Sequence, residues 1–272
     1  MKTIITAALT GAVTPKAKNP SIPCTPKEIA EDGVRCWKAG ASILHLHMRD
    51  DQFFGTMDLA RFRETVNILR GECDAILNLT SSGELGVDDE RRVAHIAELK
   101  TEMATFDAGT INAGDGIFEN SIGFLTKLGK LCIECGVKPE VEIMDLGWIS
   151  AAEYFLSAGV LQQPVHYQIV LGFGFSGAPA TPENLLYMRS KLPAKTTWSA
   201  FGTGNAHMPI MYTTVASGGH VRVGLEDAIY YGRGVLATNV MLVERAGRVI
   251  KEFGNEVATT ADAREILGLG KR

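Results

Sequence analysis

Thr25-Pro-Lys-Glu-Ile-Ala-Glu31 and Ser42-Ile-Leu-His-Leu-His-Met-Arg-Asp50 form one helix start and one strand, joined by an amphipathic stretch that closes at Gly40. Thr25 suits an N-cap, because its hydroxyl can accept from the orphan N–H groups of the first turn. Pro26 suits the first helical position, where a missing N–H costs nothing. The second segment is apolar with period two, so it reads as a strand. The same alternation of short β-branched runs and amphipathic helical stretches continues in both directions. Strands are expected at 3–9, 42–47, 75–79, 104–110, 138–143, 166–171, 197–200 and 220–224. Helices are expected at 26–40, 59–70, 88–100, 122–134, 151–158, from Thr181-Pro182, and at 210–217 and 236–253, with a short C-terminal helix at 260–267.

Strands alternating with helices imply a parallel sheet. Eight such units in 272 residues, with no long linker or low-complexity segment, predict a single (β/α)₈ barrel over 1–272 with a short helical extension at its C-terminal end. A doubly wound open sheet is the runner-up; fewer strands would be expected there. Barrel active sites lie at the carboxyl ends of the strands, which directs attention to the last residues of each strand and the loop that follows.

Composition narrows the function. The apolar fraction is 46%, the charged fraction 21% and the net charge −4. That gives no electrostatic case for nucleic acid or an anionic membrane, and no apolar run is long enough to span a bilayer. Residues 1–10 are expected to form a barrel strand rather than a signal peptide, because the apolar run breaks at Thr6 and Thr10. Five cysteines without framework spacing suit a reducing, cytoplasmic setting. Cys132 and Cys135 are expected to be packing thiols near the end of a helix, since no second C-x-x-C completes a zinc site.

His45 and His47 lie two apart on one strand, so both side chains point to the same face. Two hydrogen-bonded core histidines would give the same spacing. With Arg49, Asp50 and Asp51 following at once, a metal site is the preferred reading. The strand-eight run Arg222-Val-Gly-Leu-Glu226-Asp227 ends at the same mouth, and in a closed barrel strand eight lies two places from strand two. Glu226 is therefore expected to complete a two-His, one-carboxylate set for zinc, although iron(II) or cobalt could use the same ligands. Asp227 is then free to act as a base tuned by Arg222 and the metal.

Other strand ends supply polar groups: Asn78, Thr80 and Ser81; Thr105, Asp107 and Asn112; and Glu140 with Glu142, which share a face and could pair with Arg49 or a lysine. Thr80, Ser81, Thr105, Asn112, Glu142 and Arg49 are the candidate substrate contacts. Two glycine-rich loops, around Gly172 and Gly174 and around Gly202, Gly204 and Asn205, are candidates for holding a phosphate-bearing ligand, although turn chemistry explains either loop equally well. His166 and His220 sit at strand starts and are expected on the face away from the site. His95 falls in a helix, and His207 is a secondary candidate.

Thr10-Gly-Ala12, Pro20-x-x-Pro23-x-Thr-Pro26-x-Glu-Ile-Ala30, Ile43-Leu-His-Leu-His-Met-Arg49, Glu102-Met-Ala-Thr105, Gly109-Thr-x-Asn112, Pro139-Glu-Val-Glu142 and Gly218-Gly-His-Val-Arg-Val-Gly-Leu-Glu-Asp227 together resemble the β-keto acid cleavage enzymes. The best-known type is the 3-keto-5-aminohexanoate cleavage enzyme. The resemblance runs from residue 3 to about 267. It implies a zinc-dependent (β/α)₈ barrel that assembles as a homo-oligomer, commonly a tetramer. The implied reaction converts a β-keto acid and acetyl-CoA into acetoacetate and a new acyl-CoA. His45, His47 and Glu226 would hold zinc, and Asp227, supported by Arg222, would remove a proton from C2. Thr80 or Ser81, and Thr105, would bind the keto acid, and CoA would run over the loops after strands six and seven. The amine-using type carries Glu directly after Thr-Gly-Ala, where this chain has Val13. An apolar residue cannot pair a cation, so the substrate is expected to carry a neutral or differently placed tail. The alternatives are a metal-dependent aldolase or hydrolase on a barrel that acts without CoA, and a non-catalytic barrel that binds a small acid as a sensor.

Overall fold

A computed structural model describes residues 1–270. Eight strands close a parallel barrel: β1 Ile5–Ala8, β2 Ile43–Leu46, β3 Ile76–Leu79, β4 Met103–Asp107, β5 Lys138–Ile143, β6 His166–Leu171, β7 Thr197–Gly202 and β8 His220–Val223. Each strand pairs with the next in sequence, and the seam closes where Val221 and Val223 of β8 lie opposite Ile5 and Ala7 of β1. The expected barrel is therefore present. The helices between successive strands are α1 Pro26–Lys38, α2 Leu59–Glu72, α3 Asp89–Leu99, α4 Ile122–Cys135, α5 Leu146–Ser157, α6 Pro182–Lys191 and α7 His207–Ala216. After β8 come α8 Asn239–Glu252 and α9 Thr260–Leu267.

Local chemistry sets these boundaries. Thr25 and Glu28 form a reciprocal capping box at the start of α1, which satisfies two orphan N–H groups. The helix expected at 151–158 starts five residues earlier, because the Asp145 side chain accepts from the Trp148 N–H. Thr238, accepting from Met241, starts α8 at Asn239 rather than 236. Three short hairpins were not anticipated: Met48–Arg49 with Gly55–Thr56, Ile111–Ala113 with Gly116–Phe118, and Tyr230–Gly232 with Val235–Leu236. All three follow the carboxyl ends of barrel strands and build up the mouth.

The expected C-terminal extension closes the opposite end. Glu256–Val257 pairs with Lys2–Thr3. Ala258, Ala263 and Leu267 pack with Ile4, Ile43, Ile76 and Met103, capping the amino-terminal mouth with apolar side chains. The C-x-x-C cysteines lie on α4, and Cys132 is buried in the core around that helix, where burial pushes its thiol up to about 12. Such a thiol is inert, as a packing role requires.

Candidate active site

His45 and His47 come off the end of β2 with their rings 5.0 Å apart. Glu226 reaches them from the loop after β8. Its Oε1 lies 3.5 Å from His45 Nε2 and 3.4 Å from His47 Nε2, and the donor atoms of the three residues all fall within 4.8 Å of one another. Ligands at zinc distances on a tetrahedral ion stand roughly 3.3–3.6 Å apart, so the two separations from Glu226 fit one ion. The charge states fit as well. Burial lowers His45 to about 4, leaving a neutral imidazole with a lone pair to donate. Burial alone would raise the Glu226 carboxyl, but His47, Arg222 and His45 together hold it well below the usual range. Its Oε2 is buried without a hydrogen-bond partner, a second oxygen available to a cation.

Arg222 organises the acids around this set. Its Nε donates to Asp227 Oδ2 at 2.9 Å and its Nη2 to Asp227 Oδ1 at 3.0 Å, a bidentate pair. Nη2 also donates to Glu226 at 2.6 Å and Nη1 to Glu142 at 3.1 Å. The guanidinium lies 4.2 Å from the centre of the Phe201 ring, a cation–π contact strengthened by burial. Burial pushes Asp227 up to about 6, with Glu226 adding to the effect and Arg222 opposing it. A carboxylate in that range is a competent base near neutral pH. Asp107 and Glu142 are register neighbours on β4 and β5, and burial raises both.

The cavity above these groups holds about 800 Å³, within the range of small-molecule sites. Of the candidate contacts, Thr80, Thr105, Asn112 and Glu142 line it, and so do Gly172, Gly174 and Gly204. Other candidates sit elsewhere. Ser81 lies behind the wall, where its N–H donates to Thr105 Oγ1 at 3.0 Å; Ser82 faces the cavity instead. Gly202 is a packing glycine, since a Cβ there would come within 2.7 Å of Ile210. Neither Gly202 nor Asn205 lines the cavity.

Arg49 is the clearest correction. It is 1% exposed and points away from the cavity. It donates to Thr10 Oγ1 at 2.8 Å, Thr10 O at 2.6 Å and Phe53 O at 2.9 Å, so it ties the β1 loop to the hairpin after β2 rather than touching substrate. Nor does Arg49 pair with the acids of β5: Glu142 meets Arg222, and Glu140 accepts from Asn78 Nδ2 at 2.6 Å. His166 and His220 also differ from expectation. Both point into the barrel, His166 with its Nε2 3.7 Å from Glu140 and its ring 6.3 Å from that of His220. Alternation puts His220 on the same face as Arg222; depth along the barrel axis, not face, separates these histidines from the cavity. His95 hydrogen-bonds the Thr80 carbonyl at 2.7 Å and supports that loop from behind. His207 stays at the surface, near the Gly204 carbonyl.

Two further residues of consequence are not among the site candidates read from the sequence. Gly11 has φ +61° and sits where a Cβ would come within 2.6 Å of Glu226 Cγ, so the β1 loop can lie directly over a metal-ligand candidate. Phe201 falls just past the strand expected at 197–200, and only the fold brings it beneath Arg222.

A family model described as β-keto acid cleavage enzyme matches residues 2–269. The chain belongs to the β-keto acid cleavage enzyme family. It is 42% identical to the 3-keto-5-aminohexanoate cleavage enzyme of Fusobacterium nucleatum, over 99% of both chains. It is 35% identical to the 3-dehydrocarnitine:acetyl-CoA trimethylamine transferase of Rhizobium meliloti, over 98% of this chain and 97% of the other. Among solved structures, apo ObcA superposes with a TM-score of 0.81 at 19% identity, over 93% of this chain and 66% of that one; that likeness supports the barrel alone.

Proposed function

We propose that the chain cleaves a β-keto acid with acetyl-CoA, giving acetoacetate and a new acyl-CoA, at a divalent metal held by His45, His47 and Glu226, with zinc as the expected ion. The observation that carries the proposal is the placement of Asp227, held in a bidentate pair by Arg222, directly beside a two-His, one-Glu set whose donor atoms lie within 4.8 Å of one another. When bound, the metal would supply Lewis-acid withdrawal of charge from the oxygens of the keto acid. The chain's own residues do the rest. Thr80, Ser82 and Thr105 offer hydroxyls to the substrate carboxylate. Asp227 takes the proton from C2, and Arg222 stabilises the carboxylate before transfer and fixes its direction.

The electron pair left at C2 attacks the acetyl carbonyl of the thioester and a C–C bond forms. The thiolate of CoA leaves and adds to C3 of the original acid. The C2–C3 bond then breaks; its electron pair returns to C2, which recovers the proton from Asp227. Acetoacetate and acyl-CoA result, without any nucleophile on the protein. The glycine-lined loops after β6 and β7 leave backbone accessible along a path suited to CoA. A homo-oligomer, expected as a tetramer, belongs to the same reading and is checked by sedimentation.

The test is a coupled assay of β-keto acids with acetyl-CoA, with and without chelator, following acetoacetate. Metal-dependent acetoacetate that requires acetyl-CoA supports the reading. Cleavage without CoA would move it to an aldolase. Asp227→Asn should retain the metal yet lose exchange of the C2 protons with deuterated water, so persistent exchange would remove Asp227 as the base.

A further inference from the structure

The floor of the cavity is charged and its rim is not. His45, His47, Glu142, Arg222, Glu226 and Asp227 gather at the floor. Above them, on the side formed by the loops after β1, β2 and β3, the cavity is lined by Ala12, Val13, Phe54 and Leu85. Val13 is 81% exposed, Phe54 69% and Leu85 51%, an uncommon concentration of apolar side chains left open to a cavity.

These loops form one wall. A Cβ on Gly55 would overlap the Gly83 carbonyl and the Ala12 side chain, so the three loops touch through their backbones. Gly11 lies against Glu226, which puts Val13 two residues from the floor. The hydroxyls of Thr80, Ser82 and Thr105 stand toward β3 and β4, and the glycine loops stand toward β6 and β7. A substrate with its carboxylate at the hydroxyls and CoA over the glycine loops leaves its tail the rim around Val13.

Among the described residues, no unpaired charged side chain lines this side of the cavity. Glu84 is the charged lining residue of this quarter, and it is already engaged: it accepts from Arg91 at 2.9 Å and from the Met57 N–H at 3.0 Å. A charged tail would gain no partner at this rim, whereas an alkyl tail would gain up to roughly fourfold in binding for each methylene it buries against these side chains.

On this basis, which rests on the reaction proposed above, we propose that the enzyme prefers β-keto acids with an uncharged alkyl tail, and that Val13 sets the preference. The inference separates this chain from its 42% identical relative, whose name specifies an amine-bearing acid.

The experiment compares kcat/KM for 3-oxohexanoate with that for 3-keto-5-aminohexanoate, which has the same carbon skeleton plus an ammonium. 3-Dehydrocarnitine and 3-oxoadipate test a quaternary cation and an anion. The expected result is at least tenfold preference for 3-oxohexanoate over each charged acid, with 3-oxopentanoate a fewfold poorer than 3-oxohexanoate. Val13→Glu should shift the ratio at least tenfold toward the amino acid while metal content and melting temperature stay unchanged. Val13→Ala should lower turnover of 3-oxohexanoate without raising that of the amino acid.

Preference for any charged acid overturns the inference, including preference for 3-dehydrocarnitine through Phe54 as an aromatic partner. So does an unmoved ratio in Val13→Glu. No turnover of any of these acids by metal-loaded enzyme would instead overturn the underlying reaction, and this inference with it.

Discussion

Arg222 makes hydrogen bonds to three different carboxylates while only 4% exposed, and much of the chemistry of the barrel mouth follows from that one side chain. Its charge helps to keep Glu226 ionised, as the proposed ligand role requires, while burial raises Asp227, the proposed base, although the two are adjacent in sequence. The division of labour predicts that His45→Ala and Glu226→Gln weaken metal binding far more than Asp227→Asn does, measured by competition with a chromophoric chelator. Equal losses in all three would show that Asp227 is also a ligand. One layer below, Glu140 is fully buried, and burial pushes it up to about 7. Its folded-state pKa exceeds the unfolded value, so the folded state binds the extra proton and stability falls as pH rises from about 4.5 to about 7. Glu140→Gln removes that penalty. The variant should therefore gain stability relative to wild type at pH 8, by about 3 kcal/mol at most, with little gain at pH 4.5. Equal differences at both pH values in urea unfolding would contradict the assignment.

At the scale of elements, the site depends on how the chain leaves β1 and β8. Gly224 has φ +153°, and a Cβ there would overlap the Ala8 carbonyl, so only glycine lets β8 and β1 approach this closely just before Glu226. Gly224→Ala should destabilise by about 2 kcal/mol or more and reduce metal affinity as well, because Glu226 is displaced along with the strand end. A loss of stability with unchanged metal affinity would separate the seam from the site. Helix starts were largely readable because caps are local: the Thr25, Thr181 and Thr259 side chains each accept from an N–H three residues on. The mouth hairpins were not readable. Segments such as 111–118 have no strong period, and their pairing depends on being held over a strand end.

At the scale of the molecule, polar chemistry occupies one end of the barrel and an apolar plug the other. Leu267 of α9 is fully buried beneath Ile43, Ile76 and Met103. Leu267→Ala should cost about 2–4 kcal/mol, as core truncations do, while leaving kcat and metal affinity near wild type, since the plug is separated from the cavity by the Asn78–Glu140–His166 layer. A fall in kcat in the folded variant would mean that the plug also shapes the site.

The sequence by itself determined the barrel and its eight strand–helix units, and it singled out the metal-ligating candidates at the ends of β2 and β8 and the candidate base beside them. These follow from period, caps and spacing, which are properties of neighbours along the chain. Only the tertiary structure decided that Arg49 clamps two loops instead of meeting substrate, that Ser82 rather than Ser81 faces the cavity, and that His166 and His220 turn inward beneath the site. Only closure of the barrel placed Phe201 under Arg222 and Val13 on an uncharged rim. Each of these depends on partners distant in sequence, because a side chain's role is fixed by register, depth along the barrel and the water that closure excludes.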